Sequence, residues 1–179
     1  MNQLSFTTAL QGQRYSQFQK IIACNSLTAQ YGLRLSPEDT ELLLLSREQA
    51  LKDQNRIELS EGILPRLIET FCDSPYIHQD TYAQTLADLQ ELFYIYKNES
   101  LDLLTDDELL AFMREQFDGI CCGDTDYLGG TCLDRFAQAA RAGYDGYQAT
   151  GGKGMYEQFS QEQHWDHQLF LEVLRELIQ

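Results

Sequence analysis

Basic residues are scarce in this sequence. Its 179 residues include 13 Lys and Arg against 28 Asp and Glu, which gives a formal net charge of -15. A surface of this sign repels the phosphates of nucleic acids and the head groups of anionic lipids. We therefore expect neither nucleic acid nor a membrane as a partner. A protein partner is expected instead, either a basic protein or a second copy in a homo-oligomer.

Long apolar runs are also missing. No stretch approaches the roughly 20 apolar residues that a transmembrane helix needs. The first ten residues lack the basic segment and the continuous apolar segment of a secretory signal peptide. We expect a cytoplasmic protein, whose five cysteines are mostly reduced thiols rather than a disulfide framework.

Catalytic signatures with strict spacing are absent as well. The sequence has no zinc-protease helix, nucleophile elbow or dinucleotide-binding glycine pattern. Gly146 and Gly151 have the spacing of a phosphate-binding loop, but Gly152 intervenes before Lys153. Gly154 then occupies the position where Ser or Thr would hold magnesium. We therefore expect no bound cofactor.

What the sequence does have is apolar residues at helical spacing, within a hydrophobic content of 43%. The predicted helices cover residues 37–54, 63–71, 79–97, 106–118, 133–142 and 160–179, with one helix or two short ones before residue 32. Arg56 to Leu59 alternates like a very short strand but has no convincing partner. We predict an all-α protein, a compact bundle of about six or seven helices with at most a trace of β structure.

Capping residues mark two of these helices clearly. Ser36 precedes Pro37, the order typical of an N-cap and a first helical residue. Thr105 and Glu108 have the spacing of a capping box. Gly119 suits a left-handed stop at the end of the second helix.

A change of composition after residue 142 suggests the domain organisation. Residues 143–154 hold five glycines and show no apolar periodicity, which is typical of a connection. We predict a helical domain at residues 1–142, a Gly-rich connecting loop at 143–159, and a C-terminal helix at 160–179 that packs on the same domain.

The leading functional hypothesis comes from two surface features. Leu42, Leu43, Leu44 and Leu45 advance about 100° per residue and point to nearly every side of their helix, so one of them is offered to a partner unless all are buried. Residues 99–126 carry nine carboxylates, among them Asp106 and Asp107, against a single Arg. We expect a non-enzymatic interaction or regulatory protein that uses these residues.

The alternative hypothesis is a small enzyme that depends on a thiol or a metal. Residues 119–132 contain Cys121, Cys122 and Cys132 between two predicted helices. Adjacent cysteines lack the spacing of a zinc ligand pair, but Cys122 and Cys132 could form a mixed site with His164 and His167 if folding brings them together. A hydrogen-bonded core histidine is the simpler reading of His167.

Calcium is disfavoured at the same loop. Taking Asp124 as the first position of an EF-hand loop puts Asp126 and Gly129 at suitable positions. However, Leu128 then replaces an oxygen ligand, and Arg135 replaces the bidentate Glu.

Five short segments are shared with a known family. They are Tyr31 to Leu35, Asn55 to Glu58, Phe71 to Ile77, Phe93 to Glu99 and Asp106 to Leu109. With them, the sequence resembles a bacterial family described only as a domain of unknown function, over roughly residues 20–142. The resemblance implies a bacterial protein and supplies no activity or catalytic residue.

Overall fold

A computed structural model describes the backbone of residues 3–58 and 62–149, and the side chains of residues 12–58 and 62–141. Regular structure in these residues is entirely helical, which confirms the all-α prediction. The helices are α1 (Gln3–Ala23), α2 (Asn25–Thr28), α3 (Pro37–Asp53), α4 (Leu64–Phe71), α5 (Tyr82–Glu99), α6 (Asp106–Asp118), α7 (Thr125–Tyr127) and α8 (Leu133–Ala149). A 3-10 turn (Ala29–Tyr31) follows α2, and a π-helical turn (Leu128–Cys132) joins α7 to α8. No helix of the described ranges is long and apolar enough to span a membrane.

The chain divides into two compact units, Met1–Tyr94 and Ile95–Gln179, with the boundary inside α5. In the first unit, α1 packs against α3 and α4, and α2 packs against α4. The apolar residues that helical spacing predicts to be buried form its core. The fully buried side chains of this unit include Ile21, Leu43, Leu44, Ile63, Leu64, Leu67, Phe71 and Tyr82.

Side-chain amides hold the extended segment before α3 in the first unit. The Asn25 side chain donates to the carbonyl of Leu35 and accepts from its N–H, both at 2.8 Å. Gln79 does the same for Arg34, at 2.9 and 2.6 Å. These bonds satisfy backbone groups that have no helical partner, and so position Ser36 to begin α3.

Three aromatic rings form the centre of the second unit. Tyr96 lies 5.0 Å from Phe136 and 6.1 Å from Phe112 between ring centroids, and the two phenylalanines are 5.1 Å apart. All three rings are fully buried. They come from α5, α6 and α8, so each of these helices contributes its apolar face to one core.

Capping residues predicted the starts of α3 and α6 correctly. Ser36 accepts from the N–H of Asp39, whose carboxylate accepts from the N–H of Ser36. Thr105 and Glu108 make the same reciprocal pair at the start of α6. Each pair satisfies donors that the first helical turn leaves without a backbone acceptor.

The predicted left-handed stop at Gly119 is wrong. Its backbone has φ -83° and ψ -102°, outside the left-handed region. In the turn that follows α6, the positive φ angles occur at Cys122 (48°) and Gly123 (85°) instead. Gly119 is needed for space, because a Cβ there would lie 2.8 Å from the carbonyl oxygen of Glu115.

Helix α8 also ends later than the glycine content indicates. It runs to Ala149, so residues 143–149 of the predicted connecting loop lie in the helix. A glycine inside a helix costs only about 1 kcal/mol, which an established helix tolerates. The rest of that loop and the predicted C-terminal helix at 160–179 lie outside the described residues.

Candidate functional site

The four consecutive leucines of α3 divide into two pairs. Leu43 and Leu44 are 1% and 2% exposed and belong to the core, whereas Leu42 and Leu45 are 62% and 51% exposed. Residues three apart are neighbours on a helix surface. Leu42 and Leu45, the α3 leucine pair, therefore form one apolar patch on the solvent-facing side of α3.

Ion pairs to α1 border this patch. Arg14 binds the carboxylate of Glu41, with Nη2 and Oε2 2.8 Å apart, and also binds that of Glu48. The hydrogen bond to Glu41 raises the pKa of Arg14 above its usual value, and the charge of Glu48 acts in the same direction. Glu41 and Glu48 lie four residues before and three residues after Leu45, so the apolar patch has an acidic border held to α1.

The opposite side of α3 carries a buried charge that sequence reasoning missed. Arg47 Nε donates to Glu58 Oε2 at 2.7 Å. Its Nη2 lies 2.5 Å from the same oxygen but is poorly aligned for a hydrogen bond. The Tyr94 hydroxyl donates to that oxygen as well, at 2.9 Å. Gly62, at φ 88°, closes over the group, since a Cβ there would be 3.0 Å from Arg47 Nε.

One signal could have located this group. Arg47 follows Leu43 and Leu44 at helical spacing and precedes Ala50, so it stands in the buried stripe of α3. A charge in such a stripe requires a partner, because burial of an unpaired ion is costly. The partner itself, Glu58, belongs to a segment without regular structure and has no pattern that marks it.

A second polar side chain lies in the same core. Gln90 is completely buried, and its Nε2 donates to the carbonyl of Leu43 at 3.4 Å. Its Oε1 has no hydrogen-bond partner among the described residues. Burial, and then the carboxylate of Glu58, raise the pKa of Tyr94, one helical turn further along α5. The Tyr94 hydroxyl therefore keeps its proton to a higher pH than an exposed tyrosine does.

Two carboxylates of the predicted acidic surface interact with other groups of the protein. Asp106 lies 3.0 Å from Lys97 Nζ, which also donates to the carbonyl of Leu104 at 2.5 Å. Asp106 and Asp107 stand in the first turn of α6, where carboxylates interact favourably with the helix dipole. These two residues therefore stabilise a helix start, whatever else they bind.

The structure separates the three thiols of the cysteine loop. Cys121 and Cys132 are buried, and their Sγ atoms are 3.5 Å apart. Cys122 is exposed, and its thiol donates to the carbonyl of Gly119 at 3.3 Å. Burial, and then the hydrogen bond with Cys132, raise the pKa of Cys121. Cys121 and Cys132, the thiol pair, are thus in contact in their reduced form.

The mixed site of Cys122 and Cys132 with His164 and His167 remains a prediction. Cys132 contacts Cys121, and the side chain of Cys122 bonds elsewhere. His164 and His167 lie outside the described residues. Within the described ranges, no three His, Cys, Asp or Glu side chains are grouped as metal ligands would be.

Two further polar contacts shape the loop around the thiol pair. The hydroxyl of Tyr96 donates to the carbonyl of Leu128 at 2.8 Å, at the start of the π-helical turn. Burial, and then the neighbouring thiols, raise the pKa of Tyr96. Asp124 accepts from the N–H of Tyr127 at 3.0 Å and so caps α7. The aspartate that suggested a calcium loop has a structural role here.

Comparison with known protein families gives a match to a family model. Residues 20–146, which are 127 of the 179, match the family described as "Family of unknown function (DUF6323)". The chain belongs to this family. The DUF6323 match agrees with the resemblance predicted for residues 20–142 and includes both the α3 leucine pair and the thiol pair. No curated protein and no solved structure matches the chain.

Proposed function

We propose that this protein is a non-enzymatic, cytoplasmic interaction or regulatory protein that binds a protein partner through the α3 leucine pair. The observation that supports this most directly is the exposure of Leu42 and Leu45 on a helix whose other face is buried. Single exposed leucines are normal on protein surfaces. Two that adjoin on one anchored helix have the arrangement of the anchors in helix-in-groove recognition.

The anchoring of α3 supports a preformed surface. Its start is capped by Ser36, its inner face is held by the Arg47–Glu58 pair, and Arg14 links its outer face to α1. A helix fixed in this way loses little conformational freedom on binding, which favours affinity. Full burial of each leucine contributes about 1.5–3 kcal/mol.

Charge favours a basic partner over a second copy of the chain. Two copies with a formal charge of -15 each repel one another. Glu41 and Glu48 share the single charge of Arg14, so the acidic border keeps a net negative charge, to which Glu38 adds one turn earlier on α3. This charge complements a cationic rim around an apolar groove. We expect the association rate to fall as salt is added, because rim charges act mainly on the encounter step.

The alternative, a thiol-dependent or metal-dependent enzyme, has less support. A catalytic thiol has to meet its substrate at the protein surface, whereas Cys121 and Cys132 are both buried, and burial raises the pKa of Cys121. Cys122 is exposed, but its thiol donates to the carbonyl of Gly119, which cannot act as a general base.

A binding experiment tests the proposal. Affinity capture with the full chain, after cross-linking in extract of the source cells, identifies a partner, which is then purified for titration calorimetry. We expect the double variant Leu42→Ser, Leu45→Ser to weaken binding at least tenfold, since each lost leucine contact is worth about 1.5–3 kcal/mol. Leu101→Ser is the control, because the exposure of Leu101, 49%, is close to that of Leu45 and the residue lies in the second unit. Unchanged affinity of the double variant, or a strictly monomeric protein that captures nothing, contradicts the proposal.

A further inference from the structure

We propose that Cys121 and Cys132 are an oxidation site, at which a peroxide converts the thiol pair into an intramolecular disulfide. The observation is the direct contact of the two sulfur atoms, 3.5 Å apart in a buried setting. A disulfide bond is about 2.05 Å long, so the sulfurs need to approach by roughly 1.5 Å. This inference is independent of the α3 leucine pair.

The positions of the two residues permit that approach. Cys121 lies in the turn after α6, and Cys132 is the last residue of the π-helical turn. Residues 119–124 lie outside the helices, whereas Cys132 lies in a continuous helical run. We therefore expect the shift that forms the bond to occur mainly at Cys121.

The geometry also selects this pair over the neighbouring thiol. Cys122 is adjacent to Cys121 but bonds the carbonyl of Gly119 and faces solvent. A bond between Cys121 and Cys122 is disfavoured, because neighbouring Cα atoms are about 3.8 Å apart and disulfides usually need about 4.4 Å or more. Exposure alone would select Cys122, whereas contact selects Cys121 and Cys132.

The chemistry balances with hydrogen peroxide as the oxidant. The Cys132 thiolate, beside the protonated Cys121 thiol, attacks one peroxide oxygen, the O–O bond breaks, and a sulfenic acid and hydroxide form. The Cys121 sulfur then attacks the sulfenic sulfur, the S–S bond forms, and the leaving hydroxide takes up the Cys121 proton as water. The two sulfurs lose two electrons in total, the two oxygens gain them, and the thiol protons end in two water molecules.

Such a bond has a structural consequence. It links the end of α6 to the start of α8 and closes the loop between residues that are 11 apart in sequence. A cross-link of this kind restricts the unfolded chain, so the oxidised protein unfolds at a higher temperature. In the folded protein the same bond joins the two ends of the segment that contains the π-helical turn, so we expect oxidation by peroxide to restrict the motion of this segment.

Peptide mapping of the full chain tests the inference. The native protein is treated with hydrogen peroxide at mildly alkaline pH, blocked with iodoacetamide and digested. Trypsin alone leaves both thiols in one peptide, because no Lys or Arg lies between Glu115 and Arg135. A second cleavage before Asp124 and Asp126 gives two peptides that only a disulfide joins, and fragmentation distinguishes Cys121 from Cys122.

We expect a joined peptide with a mass loss of two hydrogens in the wild type and in Cys122→Ala, and its absence in Cys132→Ser. Treatment should also raise the melting temperature of Cys122→Ala and leave that of Cys132→Ser unchanged. If the joined peptide is lost in Cys122→Ala, or if only Cys122 is oxidised in the wild type, the inference is wrong. Both results are measured on the wild type and on Cys122→Ala, which retain Cys121 and Cys132.

Discussion

The interactions of some residues in this protein cannot be predicted from their neighbours in sequence. Arg47 is the clearest example, because it stands in an apolar stripe and its charge is neutralised by Glu58 from a segment without regular structure. The helical pattern predicts that α3 is buried on that side. It cannot predict which carboxylate reaches the arginine, since that depends on tertiary folding.

Removal of Glu58 tests the importance of this buried pair. Glu58→Ala leaves the guanidinium of Arg47 unpaired in the core, and we expect the free energy of unfolding to fall by about 3 kcal/mol. Glu48→Ala is the control, because it breaks an exposed ion pair worth at most about 1 kcal/mol. Urea denaturation followed by circular dichroism measures both. Equal effects of the two substitutions would contradict the assigned role of Glu58.

Thiol reactivity is a second property of individual residues. We expect iodoacetamide to modify Cys122 rapidly in the native protein and to leave Cys121 and Cys132 unmodified until the chain unfolds. The raised pKa of Cys121 means that its thiolate is scarce at neutral pH, so its modification should accelerate as pH rises. Time-resolved mass spectrometry at several pH values measures this. Fast modification of Cys121 at neutral pH would show that the thiol pair is accessible.

Elements of this fold differ in how far local sequence determines them. The starts of α3 and α6 were predicted because Ser36 and Thr105 act on residues only three positions away. The segment held by Asn25 and Gln79 was not predicted, because Gln79 acts on Arg34 from 45 residues away. The π-helical turn was likewise missed, since no spacing in the sequence distinguishes it from an α-helix.

Glycine substitutions test the end of α6. Gly119→Ala puts a Cβ 2.8 Å from the backbone oxygen of Glu115, so we expect a loss of about 1–3 kcal/mol in unfolding free energy. Gly12→Ala in α1 meets no atom within 4 Å and should instead stabilise the protein by about 0.5–1 kcal/mol. Thermal denaturation of both variants decides the matter, and a neutral Gly119→Ala would mean that the chain adjusts there at no cost.

The whole molecule should be sensitive to alkaline pH. Burial raises the pKa values of Tyr82, Tyr94 and Tyr96, whose usual value is about 10, and of Cys121, whose usual value is about 9. Above pH 9 to 10 the unfolded chain loses these protons while the folded chain keeps them, so folding stability falls as pH rises.

Urea midpoints measured from neutral to strongly alkaline pH test this expectation. We expect a constant midpoint up to about pH 9 and a progressive decrease above it. Tyr96→Phe should make the decrease shallower, although loss of the bond to the Leu128 carbonyl lowers its stability at neutral pH by about 1 kcal/mol. A midpoint that does not change with alkaline pH would contradict the burial of these groups.

At the scale of the whole molecule, the sequence predicts the class of fold and most of the core, because helical periodicity is local. The division of Leu42 to Leu45 into two exposed and two buried residues was open in the sequence, since four consecutive leucines point in every direction. The contact of Cys121 with Cys132, rather than of Cys122, depended on the left-handed turn at Cys122. The sequence therefore predicted the leucine segment and the cysteine loop as segments. The structure showed which leucines are exposed and which thiols are in contact.

The π-helical turn has a consequence for helical register. Thr125 to Ala149 is one uninterrupted helical run in which this turn holds one residue more than an α-helical turn. Because each residue turns the chain by about 100°, deletion of Gly130 would rotate everything before it relative to α8. The Leu128 carbonyl would then point away from the Tyr96 hydroxyl. The number of residues in the π-helical turn, and not only their identity, therefore aligns the Leu128 carbonyl with the Tyr96 hydroxyl of α5.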